Sequence, residues 1–435
     1  MHASSLRPLP VVLGLGALTL GASGYEGPRT FKSSEVLPAS LLRGPHFQVG
    51  PEAKTPGYFH EFVLKSDYGP FQVEGRSLLL VRLREVDALS KLDDVSKSEV
   101  FLKAAGTSVV NVGKSVGNVV TDPTGTAKGV GGGLKRFGTN LGRKAKRAEG
   151  DVADATKKDD TEKADDGRST EDKAAGAGEA VAMSALGVNA GMRRWAQKVG
   201  ADPYTTNPVL RKALADVAKV DAAGGLAAKV AVPIPTLVTT TASVGNLVWG
   251  QDPEALLKTN EQRLAALGVD KKVAGALFKS KAFTLTYLTV FVDALFAVKA
   301  KGTAAYVDAA DDAETEHEAL FFTESAQMLR AFHAKTPVET ILPGLRALVV
   351  KTADGRAVAL LPVDWIGWTA AFEKAAKGAQ ARAQKELGAK GFELQLSGRM
   401  SDLAKQKATA LGWTVKENVA FAGINATGRA GPPGE

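Results

Sequence analysis

The sequence predicts an α+β fold, predominantly α-helical, with a small N-terminal β-containing unit, a helical middle and a C-terminal α+β unit carrying a β-hairpin. Three observations lead there. Apolar residues alternate with a period of two over Tyr58–Leu64. They recur at steps of three and four from Leu79 to Leu89, and again beyond residue 183. They then return to short apolar runs, Leu348–Val350 and Val358–Leu361, on either side of a turn. A chain of 435 residues has room for two or three domains that each bury a core.

Residues 1–24 have the form of a secretory signal peptide. Arg7 precedes the apolar run Val11–Leu20, and Ala22 and Gly24 end it at the spacing a signal peptidase accepts. The run is too short and glycine-rich to serve as an anchor. The expectation is cleavage near Tyr25 and export, with the periplasm as destination. The chain has no cysteine, which excludes disulfides, thiol chemistry and a lipid anchor on cysteine.

Residues 25–100 read as a small α+β domain. Tyr58–Leu64 is the first strand, and Phe71 and Val73 belong to its partner across Tyr68-Gly69-Pro70. Ser77 is placed as the N-cap of a helix whose buried face is Leu79, Leu80, Leu83, Val86 and Leu89. His60, inside the strand pattern, is expected to be structural.

Residues 101–147 form a glycine-rich basic amphipathic segment. Between Phe101 and Arg147 lie nine bases and one acid, Asp122, and the difference of +8 equals the formal net charge of the whole protein. Val109, Val112, Val116, Val119, Ala127, Val130, Leu134, Phe137 and Leu141 would share one face of a helix. Ten glycines oppose that helix, each at roughly 1 kcal/mol relative to alanine, so an outside surface is needed to order it. Cations beside a Val, Leu and Phe face suit an anionic lipid or envelope component; the alternative is internal packing, with the valine face against residues 230–300 and the lysines on its solvent side. The residues expected to bind it are Lys114, Val116, Lys128, Val130, Leu134, Lys135, Arg136, Phe137, Leu141, Arg143 and Lys144. Nucleic acid is disfavoured, because Phe137 is the only aromatic residue after Phe101 in the segment.

Residues 148–180 carry eleven acids and five bases, a net −6, and read as a disordered charged linker. Residues 181–340 read as a helical domain. Met192, Trp195 and Val199 mark one helical face. Asp202–Pro208 is a turn launching a helix that carries Leu210, Leu214 and Val217. Val230–Trp249 is apolar and threonine-rich, and its Ser243–Val248 echoes Ser115–Val120. Ala282–Val298, flanked by lysines, is read as a buried helix and not a membrane span, because of its length and Asp293.

Residues 341–421 are the C-terminal α+β unit: a hairpin about Ala353-Asp354-Gly355, a helix from Val363 to Leu387, and a strand at Phe392–Leu396. A helix capped by Ser401 and a last strand at Trp413–Val415 complete it. Residues 422–435 are a Gly/Pro tail.

The chemistry-bearing motifs are few. Gly113-Lys114-Ser115 lacks the upstream glycine of a phosphate loop. Glu314 and His317 have the Glu-x-x-His spacing of di-metal bundles, continued by Phe321, Glu324 and Met328, but no second such pair exists. The acidic run Asp308–Glu318 is therefore read as a solvated helix face. Asp364 is either a helix cap or an acid. No cofactor or metal is expected. The reading is an exported protein without catalytic function, held peripherally on a membrane or envelope surface. The alternative is a periplasmic enzyme or metal-binding protein with its site around Glu314, His317 and Glu324.

Overall fold

The computed structural model describes residues 24–105, 190–224 and 248–421. They form a mixed α+β fold, mostly helical, with one sheet at each end of the chain and helices between. Residues 1–23, 106–189, 225–247 and 422–435 lie outside these, so the expected signal peptide, basic segment, charged linker, most of Val230–Trp249 and the C-terminal tail are not among the described residues.

The N-terminal sheet is antiparallel. Its strands are β1 (Arg29–Lys32), β2 (Arg43–Gly44), β3 (Phe47–Val49), β4 (Glu52–Thr55), β5 (Glu61–Ser66) and β6 (Gly69–Glu74), with short helices α1 (Ser33–Val36) and α2 (Ala39–Leu42) between β1 and β2. β5 is central: it pairs with β6 on one edge and with β3 and β4 on the other. Phe62 and Leu64 face the core while Val63 and Lys65 face outward, which is the alternation read from the sequence. The strand itself starts three residues later than expected. Tyr58–His60 is instead a loop whose Tyr58 carbonyl accepts the backbone N–H groups of Asp364 and Trp365. The strands β1–β4 were not foreseen, because each is too short to show a period.

Helix α3 (Arg76–Lys97) follows β6, and α4 (Glu99–Ala105) follows it. Leu79, Leu80, Leu83, Val86 and Leu89 are buried on α3 as the periodicity predicts. Its N-cap is Gly75, not Ser77. Gly75 turns the chain at φ +88, where an added Cβ would lie 2.8 Å from the His317 ring. Only glycine fits both the backbone and the space. The missing side-chain cap is supplied from 288 residues away by the Asp364 carboxylate, which accepts the Arg76 N–H at 3.0 Å.

The helical middle contains α5 (Ala190–Val199), α6 (Pro208–Gly224), α7 (Pro253–Ala266), α8 (Lys271–Phe278), α9 (Leu285–Val298), α10 (Thr303–Ala310) and α11 (Glu316–His333). Met192, Trp195, Val199, Leu210, Leu214 and Val217 are all buried, as their spacing predicts. The apolar run at 282–298 is α9, capped by Thr284 through the Tyr287 N–H and packed against α7 and α11. Large side chains such as Leu288 and Phe291 are fully covered there, each worth roughly 1.5–3 kcal/mol of burial. Among the described residues no helix is long and apolar enough to cross a membrane.

The C-terminal sheet runs in the order β13–β11–β9–β8–β7, from β7 (Val338–Ile341), β8 (Leu348–Thr352), β9 (Arg356–Leu361), β11 (Gly391–Leu396) and β13 (Trp413–Lys416). The β8–β9 hairpin turns through Asp354 and Gly355 as predicted, and β9, β11 and β13 are mutually parallel. Crossovers through α12 (Ala370–Leu387) and α13 (Asp402–Ala410) make the parallel pairs possible. Ser401 caps α13 through the Ala404 N–H. The helix expected from Val363 begins only at Ala370, capped by Thr369. The preceding residues are extended instead, with β10 (Trp365–Ile366) pairing β12 (Arg399–Met400), because Asp364 and Trp365 are drawn onto Tyr58 of the N-terminal unit.

Candidate functional site

The surface expected to bind an anionic partner lies outside the described residues. None of Lys114, Val116, Lys128, Val130, Leu134, Lys135, Arg136, Phe137, Leu141, Arg143 and Lys144 is among them. The helix leading into it is α4. Phe101 anchors α4 in the core at 1% exposure, while Val100 and Leu102 are left 37% and 58% exposed beside the exposed Lys103. α4 packs on α6, so two internal stretches outside the described residues depart from neighbouring helices, after Ala105 and after Gly224.

The Glu314, His317 and Glu324 set is divided by the fold. Glu314 is exposed before the start of α11, whereas His317 and Glu324 are buried one face deeper. Among the described residues, no three His, Asp or Glu side chains are grouped to hold a metal ion. The reading of a solvated acidic face is overturned for α11. Glu318 lies 3.3 Å from Arg346, and Glu324 accepts the Ser77 hydroxyl at 2.7 Å. Carboxylates with partners of this kind can be buried where free ones cannot.

His317, Glu324 and Ser77 line a cavity together with Phe59, Arg76, Phe321, Pro362 and Asp364. Its free interior is about 10 Å³, space for about one water molecule. Burial pushes the His317 imidazole down to about 4, so the ring is neutral at pH 7. Among the described residues neither of its nitrogens has a side-chain hydrogen-bond partner, the Glu74 backbone being the polar group beside it, and its ring packs edge-on against Phe59 at 4.2 Å between centroids. Asp364 forms the floor, with one oxygen accepting the backbone N–H groups of His60 and Arg76. His60, expected to be structural, is buried, and its Nδ1 sits 2.7 Å from the Thr55 hydroxyl.

A second polar cluster joins α3, α9, α11 and the Asp202–Pro208 turn. Arg82 pairs with Glu85 at 2.9 Å and with Glu316. Glu85 also accepts from Thr205 and from the Asn207 amide, and Glu316 accepts from Thr206 and from the Tyr287 hydroxyl. Burial alone would lower the Arg82 guanidinium, but Glu316 and Glu85 outweigh it and raise it. The turn was legible in the sequence, whereas its hydrogen-bond partners on distant helices carried no sequence signal.

Asp202 completes this cluster, accepting the Tyr204 N–H at 2.9 Å and the Thr286 hydroxyl at 2.5 Å. Burial, aided by Glu85 and Glu316, raises its carboxyl to about 6 against the pull of those two donors. A raised folded value means the proton stabilises the fold. That contribution is full below pH 3.8 and is lost as pH rises through about 6. Asp202→Asn is therefore expected to remove part of the fall in thermal midpoint across that window, measured against the wild-type profile.

No family model matches the chain, and no curated protein or solved structure matches it.

Proposed function

We propose that this chain is an exported protein that associates peripherally with an anionic membrane or envelope surface through the basic segment beginning at Gly106. The observation that carries the reading is the confinement of the whole formal charge of +8 to residues 101–147. A field so localised favours anionic surfaces. The exposed Val100 and Leu102 on α4 support it, since they place apolar side chains where the chain enters that segment. The N-terminal signal pattern supports the exported location. The surface is lipid or an anionic envelope polymer, and the functional role is adhesion or tethering without a reaction.

Co-sedimentation with anionic and neutral liposomes, at low and high salt, tests this. Binding to the anionic vesicles alone, lost at high salt, is the expected result. Replacing Lys135, Arg136, Arg143 and Lys144 with Gln is expected to weaken binding at low salt by about three orders of magnitude. That follows from roughly 1 kcal/mol for each basic residue near an anionic surface. Equal binding to neutral vesicles, or an unaffected quadruple variant, would sink the proposal.

A further inference from the structure

Glu61 on β5 and Glu74 on β6 stand directly opposite each other at the open end of the hairpin, and both are half-buried. Facing residues in an antiparallel pair hold their Cβ atoms about 5 Å apart, and like charges there repel. Among the described residues, the charged neighbours of Glu74 are Glu61, Glu318 and Asp364, which do not neutralise it. From α11 come Glu318, whose charge is engaged by Arg346, and the neutral ring of His317, with Nε2 4.0 Å from the Glu74 carboxylate. Asp364 of the C-terminal unit adds a third negative neighbour, already holding the N–H groups of His60 and Arg76. Arg76 itself begins α3 beside Asp364 and His60. Lys54 of β4 sits opposite Glu61, on the far side from β6, and Lys65 lies on the same outward face four residues further along β5.

We propose that Glu61 and Glu74, facing each other across the hairpin, share one proton, so that the seam between the N-terminal sheet, α11 and the C-terminal unit is an acid-tightened latch. With the proton in place, the two side chains can share an O–H hydrogen bond and only one charge is buried. Without it, two carboxylates face each other beside Glu318 and Asp364, and the seam is held less firmly. The electrostatics agree with the geometry. Burial, then Glu61, Glu318 and Asp364, raise Glu74 to about 7, while burial raises Glu61 against the pull of Lys54.

Because Glu74 binds its proton more tightly folded than unfolded, its contribution is full below pH 4.5 and is lost as pH rises through about 7. The test is the thermal midpoint of the full chain, measured across that range for wild type, Glu74→Gln and Glu61→Gln. The expected result is a wild-type midpoint that falls as pH rises, with Glu74→Gln losing part of that fall and gaining relative stability at the alkaline end. Glu61→Gln keeps a titrating Glu74 but removes its opposed charge, so the fall should move to lower pH. This second variant keeps the proposal testable if the first fails to fold. A Glu74→Gln profile parallel to wild type, or a Glu61→Gln fall at the wild-type pH, overturns the latch.

Discussion

Arg82→Ala is expected to lower the stability of the fold by about 3–5 kcal/mol, the cost of leaving buried charge without its counter-ion. The guanidinium keeps only 13% of its side-chain surface exposed and Glu85 only 5%. Removing it leaves Glu85 and Glu316 facing each other with Asp202 close by, three carboxylates without a cation among them. Hydroxyl and amide donors from Thr205, Thr206, Asn207 and Tyr287 remain, but they cannot neutralise two charges. Since a domain has only about 5–15 kcal/mol in total, this variant should be close to unfolding. Urea denaturation followed by circular dichroism measures the loss. Replacing Arg82, Glu85 and Glu316 together by Met should lose less than Arg82→Ala, because the two carboxylates that Arg82 pairs with leave together with it. A single variant with a loss below about 1 kcal/mol, the range of an exposed pair, would show the cluster to be solvated.

Asp364→Ala comes next, with an expected loss of about 3 kcal/mol from two stranded N–H donors and one lost charge-assisted cap. The carboxylate joins three units of the structure: the loop at His60, the N-terminus of α3 at Arg76, and the extended chain before β10. At the start of α3 it also meets the positive end of a helix dipole. Asp364→Asn keeps an acceptor oxygen and loses the charge, so its loss should be intermediate. An Asn loss equal to the Ala loss would mean that the charge carries the whole effect, whereas an Asn variant as stable as wild type would mean that charge contributes nothing, and the same urea titration distinguishes these outcomes. Gly398 makes the neighbourhood unforgiving, because a Cβ there would lie 2.0 Å from the Asp364 carbonyl oxygen.

What could be read in the chain follows from how local each signal is. Leu79 to Leu89, Trp195, Leu210 and the run into Val298 were legible because helical period reports burial directly, and each is covered as its spacing requires. The β8–β9 hairpin and the Ser401 cap were legible because turns and caps are written in adjacent residues. The start of α3 was misplaced at Ser77 for the opposite reason: the group that caps it is Asp364, 288 residues away. His317 and Glu324 looked like members of a solvated or metal-binding face. Their burial depends on Phe59 and Ser77, which come from elements no local pattern associates with α11.

By itself the sequence determined the class of the fold, the helices with strong period, the hairpin and the location of the surplus positive charge, since each is a property of neighbouring residues. Tertiary structure decided which carboxylates are buried, which donors satisfy them and which pairs stand face to face. Those outcomes depend on desolvation and distance between groups far apart in the chain, and neither quantity exists until the elements have packed.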